Sequence, residues 1–137
     1  MSSIVHPKIV VTGRIPDAGL ELLRSIDGSD VWAWLDDSVV PPAVRNEQLS
    51  NADAAVTLLT DRVDADFLDA APKLRIVANV AVGYNNIDVA ACTERGVLVT
   101  NTPGVLTDAT ADLAMALVLM STRRLGEAER LIRSETP

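Results

Sequence analysis

Short, β-branched apolar runs recur along the chain, each followed by a polar turn and then a stretch with helical spacing. The runs are Lys8–Thr12 (KIVVT), Val31–Leu35, Ala54–Leu59, Leu74–Ala78 and Val97–Thr100. Several are apolar almost without interruption, which predicts strands covered on both faces of a parallel sheet. Between them, Pro16 opens a helix whose Leu20, Leu22, Leu23 and Ile26 fall at helical spacing, and Gly28 closes it. Pro41-Pro42 opens Ala43–Leu49. Asp64 is placed to cap Ala65–Ala71, and Asp88 to cap Val89–Arg95, which Gly96 ends. In the second strand Val31, Ala33 and Leu35 alternate with Trp32 and Trp34, so the two indoles share a face and are expected to pack under a helix.

The last element breaks this rhythm. A helix is predicted over residues 107–132, with Thr107 or Asp108 as its cap and Asp112 near the positive end of its dipole. From Leu113 to Met120 it is apolar all round, which predicts burial, and after Arg124 it turns polar. The alternation of strand and helix predicts an α/β chain: a flavodoxin-like doubly wound parallel sheet with right-handed crossovers, followed by a long helix of the interdomain type. The expected boundaries are a domain over 1–104 and a connecting helix over 105–137.

Composition narrows the function classes. Within 137 residues, 48% are hydrophobic and the net charge is −7. Such acidity argues against nucleic acid, whose phosphates need clustered Lys and Arg. It leaves small organic anions open, because backbone amides can hold them whatever the global charge. Leu113–Met120 is too short to cross a bilayer, and no secretory signal precedes Lys8. A cytoplasmic location is the expectation. The single cysteine, Cys92, lies inside a short helix and reads as a small core residue. The only histidine, His6, precedes the first strand and reads as a surface imidazole.

Ligands on open α/β sheets bind beyond the carboxyl ends of the strands. Two loops there stand out: Val80–Ile87 (VAVGYNNI) after the fourth strand and Asn101–Asp108 (NTPGVLTD) after the fifth. AVGYNNID followed by RGVLVTNTPGVLTDATADLAMALVL resembles the D-isomer-specific 2-hydroxyacid dehydrogenases, and within them the glyoxylate/hydroxypyruvate reductase branch. The likeness is near-continuous from about Ala54 to Arg133, with Asn85 standing where the family usually carries Asp.

That resemblance implies the substrate-binding part of an NAD(P)-dependent oxidoreductase acting on small 2-hydroxy and 2-oxo acids. It implies that main-chain N–H groups of Val82 and Gly83 hold the substrate carboxylate and that Leu59 walls the substrate. Thr107 would face the nicotinamide end of the cofactor, while Asn101, Pro103 and Gly104 shape the crossing between domains. In the family a glycine-rich nucleotide domain follows this segment, and later segments bring an Arg and a Glu–His pair. No G-x-G-x-x-G occurs in these 137 residues, and His6, Arg14 and Arg62 lack the context of the missing groups. The expectation is therefore no catalytic residue and no metal site here, NAD or NADP in the complete enzyme, none held tightly by this chain alone, and no activity unaided.

A rival reading is a truncated, non-catalytic interaction module that forms a homodimer through the helix 107–132, since Leu113–Met120 needs apolar company. A phospho-receiver domain of similar topology is disfavoured, because Gly13-Arg14 stands where paired carboxylates would hold Mg²⁺.

Overall fold

The computed structural model describes residues 6–134 and divides the chain into two units, Met1–Pro103 and Gly104–Pro137. In the first, five strands alternate with four helices: β1 (Lys8–Val11), α1 (Asp17–Arg24), β2 (Asp30–Ala33), α2 (Pro42–Leu49), β3 (Ala54–Leu58), α3 (Ala65–Asp69), β4 (Ile76–Val80), α4 (Val89–Glu94) and β5 (Leu98–Thr100). All strand pairs are parallel, in the order β2-β1-β3-β4-β5. This is the doubly wound order, with the chain reversing direction across the sheet beside β1 and β3.

Alternation along the strands divides the core between the two faces. Val10, Ala55 and Val77 point into a larger cluster with Leu49, Phe67, Leu68 and Cys92. Ile9, Val11 and Val56 face the other way, onto Leu20. Trp32 packs against the larger cluster, as expected of an indole beneath a helix. Trp34 joins neither cluster, contrary to expectation: it lies past the end of β2, 6.3 Å from Trp32 between ring centroids, and donates its indole N–H to the Ser38 carbonyl. Cys92 is fully buried, and burial pushes its thiol pKa up, with the Asp88 carboxylate adding to the rise and Arg95 opposing it.

Local chemistry sets the helix ends. The Asp64 carboxylate accepts from Phe67 N–H at 3.2 Å, and Asp88 accepts from Ala91 N–H at 2.9 Å. Gly96, at φ 69°, reverses the chain after α4 so that Val97 N–H reaches the Cys92 carbonyl at 2.8 Å.

β4 begins at Ile76 and runs to Val80, not from Leu74 to Ala78; Leu74 N–H is spent on the Ala71 carbonyl in the turn out of α3. β5 is a three-residue edge strand, so Leu98 is 67% exposed, not covered on both faces. Leu22 points outward from α1 and is exposed.

The second unit consists of α5 (Thr107–Thr122) and α6 (Leu125–Arg133). In place of one continuous helix over 107–132 there are two; the break falls at Arg123–Arg124, where Arg124 adopts φ 55° and ψ 37°. That left-handed residue ends one helix and caps the next. Arg124 also pairs with Glu127, and Arg133 with Glu129 at 2.9 Å. Neither Thr107 nor Asp108 caps α5. The N-cap is Leu106, so Thr107 already sits inside the first turn, where its hydroxyl cannot take a cap's place. Burial of the apolar run also fails: Leu113, Met115, Leu117, Val118, Leu119 and Met120 are 44–61% exposed. A helix apolar on every side needs neighbours on every side, and among the described residues its own unit supplies only α6.

Candidate functional site

At the carboxyl rim of the sheet Leu58 pairs with Val80, so the loops leaving β3 and β4 start side by side. Further along, a lone parallel bridge joins them. Val63 N–H donates to the Asn86 carbonyl at 3.0 Å, and Asp88 N–H donates to the Val63 carbonyl at 2.8 Å.

Beneath these loops runs a chain of buried polar groups. Thr12 Oγ1 lies 2.5 Å from Asp61 Oδ2, which also accepts from Leu58 N–H at 2.7 Å. Asn86 Nδ2 donates to the Asp61 carbonyl at 2.9 Å. Asn86 Oδ1 accepts from Asn79 Nδ2 at 3.2 Å, and Thr57 Oγ1 donates to Asn79 Oδ1 at 3.1 Å. Thr12, Thr57, Asp61 and Asn79 are all buried, and no buried side-chain polar atom among the described residues lacks a partner. A network satisfied in this way rigidifies the loops above it.

Val82 and Gly83 sit at the top of that network. The Val82 carbonyl accepts from Asn101 Nδ2 at 2.8 Å, and the Gly83 carbonyl accepts from Asn79 Nδ2 at 3.0 Å. Their own N–H groups have no acceptor among the described residues. Val82 is 37% exposed, and Gly83 is exposed with it. The loop therefore has tethered carbonyls and free amides, which is the arrangement an anion needs.

Leu59 lies just past β3 and is 59% exposed, so it is not a core leucine. It lines a cleft of about 480 Å³ together with Thr60, Asp61, Asn85 and Asn86. The rim thus brings Leu59 beside the loop that carries Val82 and Gly83, although those two residues are not in the cleft wall. Asn85 is exposed at the cleft. Thr107 belongs to the second unit, as the first residue of α5.

The residues set aside from catalysis have ordinary partners. Arg14 pairs with Asp37 at 3.2 Å, Arg62 with Asp64 at 2.9 Å, and His6 Nδ1 lies 3.2 Å from the Gly28 carbonyl. Among the described residues no cluster of His, Cys, Asp and Glu is suited to a metal ion, and no helix is long and apolar enough to cross a membrane. The sequence reading missed the Thr12–Asp61–Asn86–Asn79–Thr57 network. Its one visible signal was an asparagine set among the apolar residues of IVANV.

Residues 9–131 match the family described as D-isomer specific 2-hydroxyacid dehydrogenase, catalytic domain. The chain is 48% identical over 130 residues to a glyoxylate reductase of Thermococcus litoralis, covering 95% of this chain and 39% of that protein. Among solved structures, it is similar to the TT0316 protein of Thermus thermophilus, with a TM-score of 0.83 and 36% identity. That match covers 92% of this chain and 40% of the other. An NADPH-dependent glyoxylate/hydroxypyruvate reductase of Sinorhizobium meliloti, solved with NADP and malonate, gives a TM-score of 0.69 at 34% identity, covering 93% of this chain and 38% of that one. The chain therefore spans about two fifths of the length of the relatives it matches.

Proposed function

The chain belongs to the D-isomer specific 2-hydroxyacid dehydrogenase family, and from that premise we propose that it is the substrate-binding part of an NAD(P)-dependent reductase of small 2-oxo acids, of the glyoxylate/hydroxypyruvate kind. The observation that carries this reading is the pair of unpartnered N–H groups at Val82 and Gly83, on the rim where α/β sheets take ligands. Two such amides, with their carbonyls tied back, suit the carboxylate of a two- or three-carbon acid. Leu59 supplies an apolar wall beside it, and Thr107 is assigned to the nicotinamide end by resemblance alone.

The nicotinamide carries the redox chemistry in this reaction class, but the residues present do not fit its nucleotide, since no glycine-rich phosphate loop occurs among them. The share of this chain is to bind and orient the acid. It is expected to show no NAD(P)H oxidation with glyoxylate when supplied alone.

Oxamate, an unreactive stand-in for a small 2-oxo acid, tests the reading. Titrated into the ¹⁵N-labelled chain, it should move the Val82 and Gly83 amide resonances with saturation in the millimolar range. Saturable shifts confined to other parts of the chain, or none, would overturn the assignment.

A second reading, a homodimer through the helical unit, is favoured by the exposure of Leu113–Met120. Sedimentation at micromolar concentration should then give twice the 14.6 kDa chain mass, and Leu117→Glu should return the monomer. A monomeric wild-type chain would exclude it.

A further inference from the structure

We propose that Asn101 is a positioning residue for the anion grip: its side-chain amide fixes the orientation of the peptide that presents Gly83 N–H. The inference rests on the reading of Val82 and Gly83 as the carboxylate-holding loop, and it identifies what keeps that loop competent.

Glycine is a double-edged choice at position 83. Without a Cβ the backbone can come close to an anion, but the same freedom lets the flanking peptide planes rotate at little cost. A plane that rotates carries its N–H away from the ligand and can turn a carbonyl oxygen toward it. Both planes around Gly83 are held. The Val82 carbonyl is bound by Asn101 Nδ2 at 2.8 Å, and the Gly83 carbonyl by Asn79 Nδ2 at 3.0 Å. No cis peptide bond occurs among the described residues, so the N–H of each plane points opposite to its carbonyl. Tethering Val82 C=O therefore aims Gly83 N–H, and tethering Gly83 C=O aims Tyr84 N–H.

The two tethers differ in kind. Asn79 is buried in the rim network, so its loss would disturb much besides the loop. Asn101 is half-buried and follows the last residue of β5, where Thr100 pairs with Ala78 of β4. Its neighbour Thr102 donates its backbone N–H to the Ala81 carbonyl at 2.9 Å, which keeps the 101–102 segment beside the loop whatever side chain stands at 101. Asn101 thus acts on one peptide plane, from a segment that is anchored independently.

Asn101→Leu keeps the approximate volume and removes the donor. In the full chain this variant should unfold at the wild-type midpoint, while the residual dipolar coupling of Gly83 N–H collapses toward an averaged value. Its affinity for oxamate should fall about tenfold, the equivalent of one modest hydrogen bond. If the wild type binds oxamate at Gly83 and Asn101→Leu binds as tightly with an unchanged coupling, the role of Asn101 is refuted and the carboxylate loop stands. If the wild type shows no response at Gly83, both fall together. Should Asn101→Leu fail to fold, the wild type decides: a through-hydrogen-bond scalar coupling between Asn101 Nδ2 and the Val82 carbonyl carbon upholds the tether, and its absence removes it.

Discussion

Removing the buried Asp61 carboxylate would leave the half-buried Leu58 N–H without its acceptor and leave the Thr12 hydroxyl with the Val56 carbonyl, at 3.1 Å, alone. Asp61→Ala should therefore destabilise the chain by about 2–3 kcal/mol, read as a shift in urea midpoint at constant slope. Asp61→Asn, which keeps an acceptor, should lose less. Individual residues were unevenly legible. Cys92 as a core residue followed from local context, and the structure buries it completely. Asp61 and Asn86 could not be found in this way. Each has near partners, but what joins them into one network is the Thr12–Asp61 bond across 49 positions and the Asn86–Asp61 bond across 25, and no local pattern encodes such pairing. Gly13 illustrates the same limit: a Cβ there would run into the Leu58 side chain of the neighbouring strand, which would have to move aside.

Elements were most legible where a single side chain decides their ends. Asp64, Asp88 and Gly96 each act within three or four residues, so the caps of α3 and α4 and the exit from α4 could be placed from sequence. Asp88→Ala should cost about 1 kcal/mol by thermal unfolding, the usual loss of an N-cap. Loss of less than a few tenths would mean that the bond to Ala91 N–H contributes little. The start of β4 and the break between α5 and α6 were not legible, because tertiary hydrogen bonding and backbone geometry set them. The ladder at Ile76 follows from its neighbours β3 and β5. Arg123–Arg124 carries neither Gly nor Pro to announce a left-handed turn. Apolarity of α5 was read correctly, but the burial inferred from it was not, since composition states what a helix needs and not what its own unit provides.

The parallel, doubly wound character of the whole sheet followed from the alternation of strand and helix, and the structure carries it out in the order β2-β1-β3-β4-β5. Cys92 offers a probe of the integrity of that architecture. Its folded-state pKa is raised by burial, so the native thiol keeps its proton at pH values where an unfolded chain has lost it. Below a pH of about 8.5, the unfolded thiol value, this group gives no pH dependence; above it the unfolded state releases a proton that the folded state retains, and stability falls until the folded thiol also ionises. Urea midpoints should thus decline on the alkaline side, and Cys92→Ala should remove that part of the decline. A thiol reagent at neutral pH should label Cys92 only as fast as the core opens.

The bridge between Val63 and Ile87 has an evolutionary corollary. Because each loop takes its register from the other, an insertion or deletion in residues 59–63 would displace the backbone after β4 as surely as a change made there directly. Length variation should therefore be purged from both loops together, while the exposed turns at the opposite rim remain free to lengthen.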